Sequence, residues 1–480
     1  MFTTQPVEVP RRPVAELTEV IGSDRTVRLI ETATEFRRGL GGRVIWTFSS
    51  TVTGGGVAEM LYALVGYTKD LAVDTRWLVI GGDNEFFRIT KRVHNRIHGQ
   101  AGDDGGLGAA ERAHVEEVLN ANVESIADRV SPGDLVLLHD PQTAGMARAM
   151  AERGALVVWR SHIGIDAENE HTQSAWEFLS PLLAYARGFV FSRRSYVPAV
   201  LSERPTWIIP PSIDPFSPKN EPLTDPVARA ILITSGLLPG TPSVAPTYIR
   251  RDGSPGEVSR PAWLAAEELP GPDDPIVVQV SRWDRLKDMT GVLRAFAAHV
   301  APSGPGTLVL AGPAVEGVID DPEGAAVFAE CMAAWQSLPP AQRARTILMT
   351  VPMSDVDENA IIVNALQRHA RVIAQKSLAE GFGLTVAEGM WKGRPVVGSA
   401  VGGIQDQIAP GTGVLLRDPT DLAGFGRAVR ELLDDPARAE RMGAAAREHV
   451  RDHFIGDVHL LRYAELFSSL LSTLVDAQTA

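Results

Sequence analysis

The stretch IAQKSLAEGFGLTVAEGMWKGRPVVGSAVGG (373–403) holds one strand–helix–strand unit of the fold. An apolar run leads to Glu380, the glycine turn Gly381-Phe382-Gly383 follows, and a helix-forming segment carries Glu388. A second apolar run then ends at Gly402-Gly403. Apolar runs that do not alternate with polar residues are expected of strands buried on both faces of a parallel sheet. Working outward, such runs recur before residue 215 as RVIWTFSS (43–50), RWLVIGG (76–82), DLVLLHD (134–140), LVVWRSH (156–162), GFVFS (188–192) and TWIIPP (206–211). After residue 270 they are PIVVQVSR (275–282), TLVLAGP (307–313), TILMTV (346–351), RVIAQKS (371–377), PVVGSA (395–400) and GVLL (413–416). Helix-like stretches separate them. VAEMLYALVGYTKDL (57–71) sets Val57, Met60, Leu61, Leu64 and Val65 on one stripe, and TDLAGFGRAVRELLDD (420–435) does so with Leu422, Phe425, Val429 and Leu433. Alternation in two blocks predicts an α/β chain of two doubly wound, Rossmann-like parallel-sheet domains.

The boundaries follow from composition. Residues 1–40 are polar and read as an N-terminal extension, 41–215 as a first domain and 275–458 as a second. Between them, 216–274 contains SPKNEPLTDP, LLPGTPSVAP and RRDGSPGEVSRP, the Pro/Gly content of a linker or insertion, with a short helix at 228–238. The helix HLLRYAELFSSLLSTLVDA (459–477) is apolar on one face and suited to pack back on the first domain. The chain has 480 residues, 44% hydrophobic and 22% charged, the composition of a globular protein with a sizeable core. Lys and Arg number 46 against 59 Asp and Glu, a net charge of −13. That sign argues against nucleic acid or anionic membrane as partner, though a local cationic pocket for a small anion stays compatible with it. The single cysteine, Cys331, allows no intramolecular disulfide and fits a reducing compartment. The first thirty residues hold no secretory apolar core, and no run approaches the roughly eighteen apolar residues of a membrane span. The expectation is a soluble cytoplasmic protein, with homo-oligomerisation left open.

In open parallel sheets, ligands bind beyond the carboxyl ends of the strands, so the informative loops follow strands. TFSSTVTGGGVAEM places Gly54, Gly55 and Gly56 before a helix, where backbone N–H groups and the helix dipole suit an anion. A plain tight turn is the alternative. In VVQVSRWDRLKDM (277–289), Arg282 and Lys287 follow a strand, a fork and a point charge suited to a diphosphate, with Asp284 and Asp288 near enough to neutralise them. In 373–403 the turn again opens backbone N–H groups, and Glu380 and Glu388 are suited to paired hydroxyls of a sugar or ribose. A surface acid is the alternative for Glu388, a helix-dipole partner for Glu380. In HDPQ (139–142) and WRSHI (159–163), Asp140, Gln142, Arg160 and His162 gather at strand ends, a polar density suited to a hydroxyl-rich acceptor, while a structural histidine is the alternative for His162. No GxSxG elbow, Walker loop, GxGxxG fingerprint or HExxH metal motif occurs, so no metal site is expected.

Taken together, these motifs resemble the retaining glycosyltransferases of the two-domain GT-B fold, family four. Glu380-GFGLTVA-Glu388 is similar to that family's pair of glutamates, and SRWDRLK to its Arg…Lys clamp. More narrowly, GGGVAEML, DNEFFRITKRVHNRIHG (83–99), HDPQ, WRSHI, PPSIDPFSPKN (210–220) and QVSRWDRLKD resemble the trehalose synthase and trehalose phosphorylase group. The resemblance implies two lobes facing across a cleft and retaining transfer of α-glucose from a nucleoside-diphosphate-glucose to glucose, making trehalose. Arg282 and Lys287 are then expected to bind the donor diphosphate and Glu388 the ribose. Glu380 and the backbone at Gly381, Phe382, Gly383 and Leu384 would hold the donor sugar, Gly55 and Gly56 would close over the reacting centre, and His162 would contact the donor glucose. Asp140, Gln142 and Arg160 are expected at the acceptor. No tightly bound cofactor and no essential metal is implied; the partners are small sugars and the nucleotide sugar. A phosphorylase using inorganic phosphate on trehalose, transfer to another small hydroxylated acceptor, and a nucleotide-sugar sensor on the same scaffold are the alternatives.

Overall fold

A computed structural model describes residues 2–52, 56–103, 105–314 and 322–479. The chain forms two compact units, Met1–Ser212 with Phe454–Ala480, and Ile213–His453.

The first unit is built on seven strands: β1 (Gln5–Pro6), β2 (Ile45–Ser49), β3 (Thr75–Val79), β4 (Leu135–His139), β5 (Leu156–Ser161), β6 (Gly188–Phe191) and β7 (Thr206–Ile208). Their order is β1-β3-β2-β4-β5-β6-β7, parallel throughout except for the short antiparallel edge β1. β2, β4, β5 and β6 are buried along their whole length, which is why they read as unbroken apolar runs. Residues 1–40, read as a polar extension, are instead part of this unit. Helix α1 (Ser23–Leu40) buries Leu29, Ala33, Phe36 and Leu40, one stripe hidden in a sequence that is polar on average. Helix α2 (Gly56–Asp70) follows β2.

The second unit begins at Ile213, just before the expected linker, and takes the whole of that segment in. Residues 216–274 do not merely connect; they supply α3 (Asp225–Thr234), the antiparallel hairpin β8 (Thr247–Ile249) and β9 (Pro255–Glu257), and the edge strand β10 (Trp263–Ala265). The sheet continues with β11 (Ile276–Val280), β12 (Thr307–Pro313), β13 (Thr346–Val351), β14 (Val372–Gln375), β15 (Val396–Ser399) and β16 (Gly413–Leu416). Its order is β10-β13-β12-β11-β14-β15-β16, with only β10 antiparallel. Helices α4 (Met289–His299), α5 (Val356–His369) and α6 (Leu384–Trp391) follow β11, β13 and β14. In both sheets the strand order reverses at one point, beside β2 and β4 in the first and beside β11 and β14 in the second. Crevices at such reversals are where doubly wound sheets bind ligands.

The last helix, α7 (Gly456–Thr479), belongs to the first unit. Tyr463, Leu466, Phe467 and Leu470 share a core with Phe36 and Leu40 of α1 and with Leu135, Leu137, Val158 and Val190 of the sheet.

Candidate functional site

In the second unit, the loops after β11 and β14 flank the reversal. β14 ends in Gln375, whose side-chain amide donates to Ser281 Oγ (3.3 Å) and Ser377 Oγ (3.1 Å), while its oxygen accepts from Thr385 Oγ1 at the start of α6 (3.0 Å). The two loops are tied again where Leu378 N–H donates to the Leu286 carbonyl (2.7 Å). This stitching brings Lys287 to Glu380: Nζ donates to Oε2 at 2.6 Å, with both side chains largely withdrawn from water. Arg282 behaves differently. Its Nη2 donates to Asp284 Oδ2 at 2.9 Å, and its side chain is 62% exposed. Asp288, considered as a neutraliser of the clamp, is turned to the fully buried Lys376 and caps α4 by accepting from Gly291 N–H (3.2 Å).

The turn before α6 is shaped by close approach. Gly383 sits at φ +81, and a Cβ there would meet Glu380 Cγ at 3.0 Å. Gly403 lies so near the turn that a Cβ would meet Phe382 Cα at 2.7 Å. Gln407, fully buried and not singled out by the sequence patterns, donates to the carbonyls of Phe382 (2.5 Å) and Gly383 (3.2 Å). Gly383's carbonyl also accepts from Val386 N–H (2.9 Å), and the N–H groups of Leu384 and Thr385 lie at the helix start, where a helix offers its first N–H groups no acceptor of its own. Glu388 lies one turn into α6, buried, with Lys219 Nζ at 3.7 Å from Oε1. Lys219 is held there by its neighbours: Asn220 accepts from the buried Lys392 Nζ (2.9 Å), and Asn364 donates to the Pro218 carbonyl (2.9 Å).

In the first unit, the ends of β4 and β5 gather the expected polar residues. Asp140 stands at φ +62, a conformation L residues rarely adopt, and its Oδ1 accepts from His162 N–H at 2.7 Å. Burial pushes its carboxyl up to about 7, against the pull of that N–H and of the Arg160 charge. Gln142 is half-buried, and its Oε1 meets no hydrogen-bond donor among the described residues. Arg160, expected at the acceptor, is wholly enclosed and its donors are committed elsewhere. Nε reaches His162 Nδ1 (3.3 Å), Nη1 reaches Tyr463 Oη (2.6 Å) and His459 Nε2 (3.2 Å), and Nη2 donates to the Ile209 carbonyl (3.0 Å). His162 is also more enclosed than expected, its Nε2 lying 2.8 Å from His139 Nδ1, whose other nitrogen meets Thr47 Oγ1 at 2.9 Å. With both ring nitrogens engaged, His162 offers a ligand a fixed imidazole surface rather than a spare ring nitrogen. His139 stood in the HDPQ motif unremarked, and nothing local in the sequence signalled His459 or Tyr463. Gly56 opens α2, while Gly55 lies outside the described residues. Among the described residues, no group of His, Cys, Asp and Glu is arranged to hold a metal ion, and no helix is long and apolar enough to cross a membrane.

Two Rossmann-like sheets, each with its polar loops at the point of reversal, make up the two-domain GT-B fold, and the similarity in sequence makes the chain a glycosyltransferase. Residues 47–198 match the family model described as trehalose synthase, N-terminal domain, and residues 355–449 that described as glycosyl transferases group 1. A trehalose synthase of Pyrococcus horikoshii is 33% identical over 98% of this chain and 99% of its own. A trehalose phosphorylase of Pleurotus pulmonarius is 28% identical over 91% of this chain but only 58% of its own. Among solved structures, an α,α-trehalose-phosphate synthase (UDP-forming) from Burkholderia vietnamiensis superposes with a TM-score of 0.64 at 13% identity, covering 91% of this chain and 99% of that one. The chain belongs to the trehalose synthase family of family-four glycosyltransferases.

Proposed function

We propose that this protein transfers an α-glucosyl group, with retention, from a nucleoside-diphosphate-glucose to glucose, forming trehalose reversibly. The observation that carries the reading is the Lys287–Glu380 pair at the glycine turn that opens α6. As the bond from the sugar C1 to the β-phosphate oxygen breaks, negative charge grows on that phosphate. Arg282, Lys287 and the N–H groups at the start of α6 are suited to meet it, and so to favour the transition state over the ground state. The proton of the attacking glucose hydroxyl passes to the departing phosphate on the same face, so the products are trehalose and the nucleoside diphosphate. Glu380 and the backbone of Gly381, Phe382, Gly383 and Leu384 hold the donor sugar, Glu388 the ribose hydroxyls, and Gly55 and Gly56 close over the reacting carbon. His162 packs against the donor glucose, and Asp140 and Gln142 bind acceptor hydroxyls. No tightly bound cofactor or essential metal is invoked, since the two cations meet the diphosphate charge. A cytoplasmic setting is proposed on the single cysteine, Cys331, which allows no intramolecular disulfide.

The synthase reading is favoured over a phosphorylase because the chain spans 99% of the Pyrococcus horikoshii synthase and 58% of the Pleurotus pulmonarius phosphorylase. Product analysis with a panel of nucleotide-glucoses plus glucose, set beside trehalose plus inorganic phosphate, tests it. Trehalose of α,α configuration, read by NMR, is the expected result. Glucose 1-phosphate formed only in the second arm would replace the synthase reading with the phosphorylase one.

A further inference from the structure

Arg160 is a charged side chain with no exposed surface, set in the first unit among Thr47, His139 and His162 on one side and His459 and Tyr463 of α7 on the other. A buried guanidinium is tolerated only where its donors find acceptors, and here Nε, Nη1 and Nη2 all do. Because arginine carries no acceptor, each partner must present a lone pair to it. His162 therefore accepts at Nδ1 and keeps its proton on Nε2, and that proton is given to His139 Nδ1. His139 in turn keeps its proton on Nε2 and donates to Thr47 Oγ1. On the other side His459 accepts at Nε2, so its proton is on Nδ1, facing Ser212 Oγ at 3.4 Å. One donor-only group thus dictates the protonation of three imidazoles.

We infer that Arg160 is a positioning residue, which fixes the tautomer and ring orientation of His162, and through it His139, from a hub anchored on the C-terminal helix. The inference rests on the reading above that places His162 at the donor glucose. The groups facing His162 are Arg160, His139 and Asp140, with His459 and Tyr463 behind them. Burial first, and then the Arg160 charge, push His139, His162 and His459 well below the ordinary imidazole range, so none gains a proton where free histidine titrates. His162 also donates its backbone N–H to Asp140, so a swing of the ring would disturb the carboxylate proposed at the acceptor.

The test combines nitrogen-15 histidine NMR with steady-state kinetics on the full chain, resonances being assigned by single His→Gln variants. Wild-type His162 is expected as the Nε2–H tautomer, neutral through the range in which free histidine titrates. Arg160→Met should release that tautomer and lower kcat by about 10–100-fold, by analogy with the loss of hydrogen-bond partners that orient metal-ligating histidines. The donor KM should move by less than about threefold, since no donor contact is lost. Arg160→Lys keeps the charge but has no Nε–H for His162, so it should hold the ring neutral yet fail to restore the tautomer. Tyr463→Phe removes an acceptor but leaves Nε–H in place, and the His162 tautomer should survive it. An Nδ1–H tautomer in the wild type overturns the inference, as does a folded Arg160→Lys with unchanged tautomer and kcat. If Arg160→Met does not fold, the wild-type spectrum and Arg160→Lys decide. A wild type that moves no glucosyl group would sink the proposed function and leave the tautomer readout standing.

Discussion

Lys287 Nζ donates to Glu380 Oε2 at 2.6 Å. The carboxylate fixes the ammonium on a flexible stem, and Ser377 Oγ, 3.4 Å away, steadies the carboxylate in turn. Lys287→Ala removes the cation and also leaves a half-buried acid facing the incoming diphosphate. It should cost about 3–4 kcal/mol of transition-state binding, or about 10²–10³-fold in kcat/KM, the scale of a lost oxyanion donor. Adding Glu380→Gln should restore part of that loss, so a double-mutant cycle should show strong coupling. Near-normal turnover in Lys287→Ala would discard the clamp. Asp140 makes a different residue-level prediction. Its folded pKa, raised to about 7 from 3.8, means that the native state binds the extra proton between those values. The ionised carboxylate therefore costs stability above pH 7, and the cost fades as pH falls towards 4 and is absent below it. Asp140→Asn should raise the unfolding midpoint at pH 8, leave it unchanged at pH 4, and still impair use of glucose, as at a site where stability is given up for function. In the wild type, kcat/KM for glucose should titrate near pH 7.

At the scale of elements, the hairpin of β8 and β9 and the loop after it are locked to the start of α5 by charge. Arg250 pairs with the N-cap Asp355 at 2.7 Å, Arg251 with Asp357 at 2.5 Å, and Arg260 with Glu358. The N-cap Asp355 and the two acids of the first turn, Asp357 and Glu358, also suit the positive end of the helix dipole. Glu358 is the most enclosed of them and accepts the backbone N–H groups of Ser259 (2.7 Å) and Arg260 (2.8 Å) as well. Removing it takes the acceptor from two backbone donors, while the half-exposed Arg260 guanidinium can turn to water. Glu358→Ala should lower stability by about 1–3 kcal/mol, the cost of leaving those donors unsatisfied, in denaturant melts of the full chain. Transfer activity below the melting transition should be unaffected, because none of these groups belongs to the proposed site. An unchanged melt would show that the hairpin merely rests on the helix. The same locking explains why 216–274 read as a linker. Its prolines and glycines are turn residues between short pieces, and Arg250, Arg251 and Arg260 find their acids only about a hundred positions away.

For the whole molecule, what the chain disclosed in advance was what local composition can encode. Parallel strands buried on both faces are apolar without interruption, so twelve of them were legible as runs. The short antiparallel pieces β1, β8, β9 and β10, two or three residues each, have no such pattern. The loop motifs around Lys287 and Glu380 were legible because glycines and charges cluster after strands. The surroundings of Arg160 were not, since Tyr463 lies 303 positions away and joins it only when α7 returns to the first unit. That return makes the two units unequal. Ile213–His453 is continuous in sequence and holds its own core around Val277, Leu310 and Phe296. Met1–Ser212 lacks α7, and without it Phe36 and Leu40 lose Tyr463, Leu466 and Phe467 from their shared core. Arg160 then keeps its place in the interior with two of its acceptors gone, the costly situation of a buried charge left unpaired. A fragment of residues 213–453 should therefore fold alone, giving a cooperative melt and resisting brief proteolysis. A fragment of residues 1–212 should not, and adding residues 454–480 as a separate chain should rescue it. A cooperative melt for 1–212 by itself would show that the closing helix only covers a unit already complete.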